Sequence, residues 1–480
     1  MASILRAGLD IHEIIAQNLS PADLVAVSST CAALRDIYRP LAFATLRWRD
    51  MIWSPPESLW GLIKHLHVDL NTDGSFISYG YSRHLSALES LHVVSATVSH
   101  QLVRLLDAAP HIRELDLARL SWGTNRVDDA PMPAFPPVTC RPRVVRFCSR
   151  LSDVYLAYAS QAHASRMRAW RVPLATLLNE IGVGQVEALE VGLEALSLLI
   201  AVTYTWASLR DLVLTGFWVH PGNDRNHALD DPRMGIPTEM YGRVHLGSLL
   251  VACPRLAVLR VRWRRAGWTT DSRCVVWPAD EPLPPYGTAL PALDIFELFN
   301  PTVGDGILRQ LPSFLRSLSL LTYPHTTETE DPKHYTKGQE VGDEIRGAGL
   351  TAAELLDLFS AAPMPRLREL RISIYGRADG AFFHRITTAF PCLEVLEFHM
   401  EVSPGYLWTK RDLRDCTDAL APLANLRILR ANAFVKIFDD LDGATQVTHG
   451  KARERPGAVR RSEVVATFFD DDPGVLLGRS

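Results

Sequence analysis

Pro254-Arg255-Leu256-Ala257-Val258-Leu259-Arg260-Val261 is one copy of a short run that recurs along the chain. Its form is L-x-x-L-x-L with a proline two residues upstream. The same cadence is found in Pro110-His111-Ile112-Arg113-Glu114-Leu115-Asp116-Leu117, in Pro365-Arg366-Leu367-Arg368-Glu369-Leu370-Arg371-Ile372 and in Pro391-Cys392-Leu393-Glu394-Val395-Leu396-Glu397-Phe398. Side chains alternate across a strand, so the last two apolar positions of each run share one face. A strand of that kind buries its apolar face by stacking on its own copies.

The pattern places repeat starts at Ile63, Leu88, Ile112, Leu151, Val186, Leu209, Leu256, Leu293, Leu315, Leu367, Leu393 and Leu426. Several neighbours lie 22–26 residues apart, within the period of about 20–29 expected of leucine-rich repeats. The longer gaps imply insertions. Three apolar positions alone are a weak signal in a chain this apolar. Two accompaniments strengthen it. Proline precedes the first apolar position by two at Pro110, Pro254, Pro291, Pro365 and Pro391. A helical pattern also precedes many copies, at Gln101 to Ala108, Leu246 to Ala252, Thr351 to Ala361 and Phe382 to Ala389. The unit is then helix, proline turn, strand, and each strand pairs in parallel with the next. The expected fold is α/β: an irregular leucine-rich-repeat solenoid, with parallel strands on its concave face and helices outside, behind a short helical module. An ordinary α/β domain with leucine-rich strands is the alternative. Strict βαβ order at this period favours the repeat array.

Size and charge agree. The chain has 480 residues, 47% hydrophobic and 22% charged, enough to bury a large core. Fifty basic and 54 acidic residues give a net charge of −4, no global attraction toward nucleic acid or an anionic membrane. No run is long and apolar enough to span a bilayer, and Met1 to Asp10 carries no secretory signal. The seven cysteines are odd in number and include no C-x-x-C, which suits a reduced protein, cytoplasmic or nuclear.

Long insertions interrupt the array at 121–147, 218–243, 264–290 and 324–349. The pattern stops at about Lys436. From there a polar tail, acidic at Asp470-Asp471-Asp472, is expected to be mostly disordered. The domain reading is therefore 1–48 helical module, 49–435 repeats, 436–480 tail.

The first fifty residues read differently. Ile11, Ile14, Ile15 and Leu19 fit one helical face. Ser20 is a good N-cap, Pro21 suits the first helical position, and Asp23 completes a capping box. Leu24, Val27, Cys31, Leu34 and Tyr38 keep helical spacing, and Pro40 ends or kinks that helix. Two or three short helices make a small core, so the module packs on its neighbour, binds a partner, or both. It either caps the array or docks a partner.

These residues resemble a family. Leu9-Asp10-Ile11, Ile14-Ile15 and Leu19-Ser20-Pro21-Ala22-Asp23-Leu24 look like an F-box, and Ser28 to Leu34 resembles its second part. Arg39-Pro40-Leu41-Ala42-Phe43-Ala44-Thr45-Leu46 looks like a tail of fungal members. The resemblance covers about residues 5–48. It implies a non-catalytic substrate adaptor of an SCF-type ubiquitin ligase. Leu9, Ile11, Ile14, Ile15, Leu19, Pro21, Leu24, Val27 and Leu34 would meet a Skp1-like adaptor, itself bound in a cullin complex. A protein substrate would lie on the repeat face. The alternative is a repeat scaffold without a ligase role.

Searching for chemistry yields little. No G-x-S-x-G, G-x-x-x-x-G-K-[ST], G-x-G-x-x-G or H-E-x-x-H occurs. His65 and His67 share one strand face, but zinc needs three or four ligands and no cysteine is near. Asp439-Asp440-Leu441-Asp442-Gly443 lacks the later glutamate of a calcium loop. No catalytic residue, metal ligand or cofactor is expected, and neither a membrane nor a nucleic acid as partner. Arg260, Arg262, Arg264 and Arg265, with Trp263 and Trp268, form a basic and aromatic cluster. It either contacts an acidic ligand or pairs with carboxylates such as Glu297 on the next strand. The outward positions Arg260, Arg262, Glu297, Phe299, Arg371, Glu397 and His399, together with Asp116, Thr215 and Arg430, are mixed in character, which suits a protein partner.

Overall fold

A strand begins two residues after the first apolar position of every expected repeat that the structure describes. The computed structural model describes residues 8–48, 56–68, 85–94, 96–97, 100–117, 120–121, 138–147, 177–178, 181–192, 206–217, 246–264, 275–277, 290–322, 350–401 and 410–432. The expected start at Leu151, most of the four insertions and the acidic tail lie outside these residues.

The chain divides into two units. The first contains β1 (Thr45–Trp48), β2 (His65–Val68), β3 (Ser90–Val93), β5 (Glu114–Leu117), β7 (Val144–Phe147) and β8 (Ala188–Gly192). Each pairs in parallel with the next. Two short strands, β4 (Ala96–Thr97) and β6 (Leu120–Ser121), pair separately. The second unit contains β9 (Asp211–Phe217), β10 (Val258–Arg264), β11 (Ile295–Phe299), β12 (Ser317–Leu321), β14 (Glu369–Tyr375), β15 (Val395–Glu401) and β16 (Ile428–Asn432), again parallel and in order. The two-residue strand β13 (Leu350–Thr351) extends the end of β14.

The repeat has a constant internal geometry. The first apolar residue donates its N–H to the carbonyl three residues back: Ile112 to Ala109, Leu256 to Cys253, Leu293 to Leu290, Leu367 to Met364 and Leu393 to Phe390. Each of the five prolines therefore occupies the second position of a four-residue turn. Its fixed φ suits that position, and no N–H is needed there. The acceptor residue is itself buried in each case. This is a fourth core position that L-x-x-L-x-L does not contain. At the strand start, one carbonyl receives two consecutive N–H groups of the next repeat. Arg113 and Glu114 both donate to Glu89, Asp294 and Ile295 to Ala257, Glu394 and Val395 to Arg368. The strands then alternate half-exposed and buried positions.

Helices precede strands where expected: His100–Ala108, Leu246–Val251, Ala352–Ala361 and Gly380–Ala389. Thr351 and Glu354 close a capping box on the third, and the Asp379 carboxylate accepts from the Phe382 N–H on the fourth. Their apolar sides meet the inward strand residues. Phe383 packs on Phe398 of β15 with ring centroids 5.1 Å apart, and Phe359 on Phe390 at 4.9 Å. A helix not read in the sequence, Lys410–Leu420, precedes β16. Between β11 and β12 the helix shrinks to one 3₁₀ turn, Gly306–Arg309.

Besides the two-residue strands β4, β6 and β13, two strands of the main array were not expected, β1 and β7. In Pro142-Arg143-Val144-Val145-Arg146-Phe147 a proline stands at the first apolar position, which hides β7 from a leucine-based pattern. Strand β1 falls within the residues assigned to the helical module, yet pairs with β2 from Thr45↔His65 to Trp48↔Val68.

The module itself is three helices: α1 (Leu9–Gln17), α2 (Pro21–Thr30) and α3 (Ala32–Ala42). The capping box is present, with Ser20 and Asp23 satisfying each other's backbone N–H groups. The expected run of helical spacing from Leu24 to Tyr38 breaks at Cys31, which is extended at φ −157° and ψ 165°. Ser28, Ser29 and Thr30 explain the break: their hydroxyls donate to the carbonyls of Val25, Val25 and Val27 in the last turn. Pro40 lies inside α3, which ends two residues later.

Candidate functional site

Two surfaces carry the residues singled out from the sequence. The first is the helical module. Leu24, Leu34 and Tyr38 are its core, packed by Ile15, Ala16, Leu19, Val27, Cys31, Ile37, Leu41 and Ala42. Every one of these belongs to the module. Leu24 and Leu34, expected at a partner surface, are 8% and 7% exposed, so they hold the helices together and offer no contact area. Ile15, Leu19 and Val27 are half-buried beside them, and Pro21 is exposed. Leu9, Ile11 and Ile14 on α1 are 61%, 45% and 56% exposed. Val25 on α2 is 44% exposed.

The side of α1 that faces inward is anchored by a polar pair. His12 is buried, and its Nδ1 lies 2.9 Å from the Tyr38 hydroxyl. Its Nε2 is buried without a hydrogen-bond partner. The sequence reading passed over His12, which sits among isoleucines; its 26-residue separation from Tyr38 leaves no local signal.

The second surface is the open face of the β9–β16 sheet. The strand register puts Arg260 beside Glu297 and Val213, Arg262 beside Thr215, Arg371 beside Glu397, and Glu397 beside Arg430. Six of the seven candidate residues form two ion-pair clusters. Arg262 donates to both Glu297 oxygens, at 2.6 and 3.3 Å. Arg260 lies 3.8 Å from Glu297 and 3.4 Å from Asp211. Glu397 gathers three basic side chains: His399 at 3.1 Å, Arg430 at 3.2 Å and Arg371 at 3.8 Å. The hydrogen bond from His399, aided by its charge and those of Arg371 and Arg430, holds the Glu397 carboxyl below the ordinary carboxylate range despite burial. Phe299, half-buried, lies beside Leu321 of the next strand.

Among the described side chains of this face, Arg260, Arg262, Arg371 and Arg430 balance Asp211, Glu297, Glu369 and Glu397. The pairing of arginines with Glu297, one of the two sequence readings, is the one found. Asp211 and Arg430 were missed as partners. Arg430 sits at the same repeat offset as Arg371 and Glu397, so the register would have revealed it; Asp211 sits at the first strand position, opposite Val258, where no candidate was named. The side chains of Trp263 and Arg264, and all of Arg265 and Trp268, lie outside the described residues.

On the β1–β8 sheet the open face carries histidines. His67 and His92 are register neighbours with ring centroids 5.4 Å apart, and His92 lies 2.9 Å from Asp116. Burial depresses the pKa of His67, with further contributions from His92, Arg47 and His65. Among the described residues no group of three or more His, Cys, Asp or Glu could hold a metal ion, and no helix is long and apolar enough to cross a membrane.

One buried carboxylate had no sequence signal. Asp305 accepts from the backbone N–H groups of Val276 at 2.7 Å, Trp277 at 2.9 Å and Ile307 at 3.1 Å. It pins part of the 264–290 insertion to the turn before β12. Burial pushes its pKa up to about 6, against the pull of those three donors.

No protein-family model matches the chain, and no curated protein matches it. A crystal structure of the Rad7 and Elc1 complex in yeast is a similar solved structure, 11% identical. It covers 83% of this chain and 90% of that chain, with a TM-score of 0.29. At that identity and score it carries no argument about function.

Proposed function

We propose that the chain is an F-box-type substrate receptor of an SCF-type ubiquitin ligase. In this reading α1 and α2 dock a Skp1-like adaptor in a cullin complex, and the open repeat face holds a substrate protein. The supporting observation is the exposed apolar set Leu9, Ile11, Ile14 and Val25 on a module whose own core is complete without it. A cap serving only the array would turn that surface inward. The chain itself supplies no reaction step. Its contribution is proximity, raising the effective concentration of substrate lysines near a ubiquitin-charged enzyme. A balanced and internally paired open face suits a protein with its own mixed charges better than a polyanion.

The test is affinity purification and mass spectrometry of the full chain against Ile11→Asp/Ile14→Asp. Point changes are preferred to deletion of residues 1–48, which would also remove β1 from the sheet. Recovery of Skp1 and cullin by the unaltered chain, and its loss in the variant, is expected. Failure of the unaltered chain to recover either sinks the proposal and leaves the repeat scaffold as the reading.

A further inference from the structure

An arginine-lined groove crosses the β11–β16 repeats on the turn side of the strands. It encloses about 670 Å³. Phe314, Arg366, Cys392 and Asn425 line it from the turns; Asp294, Arg316, Arg368 and Glu394 line it from the strand starts. The two rows come from the repeat geometry. Arg366, Cys392 and Asn425 each lie one residue before the first apolar position of successive repeats, so the groove runs across the strands.

Its charges are not all spent. Arg316 forms a two-pronged pair with Asp294, and Arg368 lies 3.2 Å from Glu394. These pairs hold two guanidinium groups in place. Arg366 is exposed and makes no hydrogen bond or ion pair with the described residues. The groove thus has one uncommitted cation, a half-buried aromatic ring in Phe314, and a length set by consecutive repeats. An extended acidic segment with an aromatic residue matches all three.

The chain contains such a segment. Residues 468–472, outside the described residues, read Phe-Phe-Asp-Asp-Asp. Asp470 lies 38 positions after Asn432, the last residue of β16. An extended chain of that length spans up to about 130 Å. Arg366 belongs to the repeat two strands from β16, roughly 10 Å away at the usual strand spacing. Reach is no obstacle. We propose that the groove lined by Arg366 and Phe314 is the docking site of the chain's own acidic segment around Phe468–Asp472, an intramolecular contact that occupies the turn edge of the β11–β16 repeats.

Cys392, an exposed free thiol in the groove wall, provides the readout. The full chain is treated with iodoacetamide, and alkylation of Cys392 is followed by peptide mapping. A tethered segment experiences an effective concentration of order mM, so even a weak contact slows alkylation about threefold. The combined Asp470→Asn, Asp471→Asn and Asp472→Asn change leaves the groove intact and is expected to restore the faster rate. Adding a synthetic peptide of residues 464–473 to that variant should slow alkylation again, and Arg366→Glu should abolish the effect. Arg366→Asp combined with Asp470→Lys, Asp471→Lys and Asp472→Lys should recover protection. An unchanged rate in the triple asparagine variant overturns the proposal. If added peptide then still protects through Arg366, the groove receives an acidic segment of another protein. If nothing protects, it is a solvated surface.

Discussion

Glu397 shows what a single carboxylate does on the open face. It lies among His399, Arg371 and Arg430, so replacing it removes the carboxylate that all three share. Glu397→Gln is expected to cost about 1–3 kcal/mol, read as a lower urea midpoint. Its carboxyl pKa is depressed on folding, so its contribution is present above the ordinary glutamate value of 4.5 and is lost as pH falls from there through the depressed folded value. The glutamine variant should lose that part of the acid destabilisation. Asp305 has the opposite sign. Its folded pKa, about 6, stands above the ordinary aspartate value of 3.8, so the folded state holds the proton more tightly. Between these values acidification favours folding through this group. Asp305→Ala removes the acceptor of three backbone N–H groups. Amide exchange at Val276, Trp277 and Ile307 should rise about tenfold or more, as a loss of roughly 1–3 kcal/mol implies. A small change there would mean the insertion is held by something other than this carboxylate.

At the scale of elements, α1 is the informative case. It meets α3 through the His12–Tyr38 pair and the half-buried Ile15 and Ala16. Tyr38→Phe keeps the ring and removes the hydroxyl, which leaves both nitrogens of His12 buried without a partner. A loss of about 1–3 kcal/mol is expected, with faster amide exchange in α1 than in α2. Exchange rising equally in both helices would contradict a specific hold on α1. The capping box was legible because its spacing is local: Ser20 and Asp23 are three residues apart and act on the same helix end. The break at Cys31 was not. Apolar spacing runs through it unchanged, and only the serine and threonine hydroxyls in the preceding turn give it away. Strand β7 was missed for a related reason. A proline at the first apolar position fills the same place by shape without matching by residue type.

For the whole molecule, the repeat pattern foretold every described strand it named, because each copy states its core positions within eight residues. What it could not state was pairing between side chains of different copies. Arg262 to Glu297 and Arg430 to Glu397 join residues 35 and 33 positions apart. They become neighbours only once the register is known. Which apolar residues of the module are core was half legible: the same apolar periodicity describes Leu24, which is core, and Ile14, which is exposed. Stability should follow the array. Leu370 of β14 is fully buried between β12 and β15. Leu370→Ala is expected to cost about 2–5 kcal/mol. In a nearest-neighbour array the rise in amide exchange should be largest in β12, β14 and β15 and smaller in β9. A uniform rise from β9 to β16 would show the unit opening as one cooperative body.

The shared carbonyl at each strand start has a consequence for how such a chain tolerates change. Arg368 and Glu369 both take their position from Arg316, although residues 323–349 and a helix lie between. The next strand is located by that acceptor and not by the number of residues preceding it. Every repeat therefore resets the count, and a length error in one connection is erased before the following strand begins. Insertions can accumulate between copies over evolutionary time without shifting a single inward side chain to the wrong face.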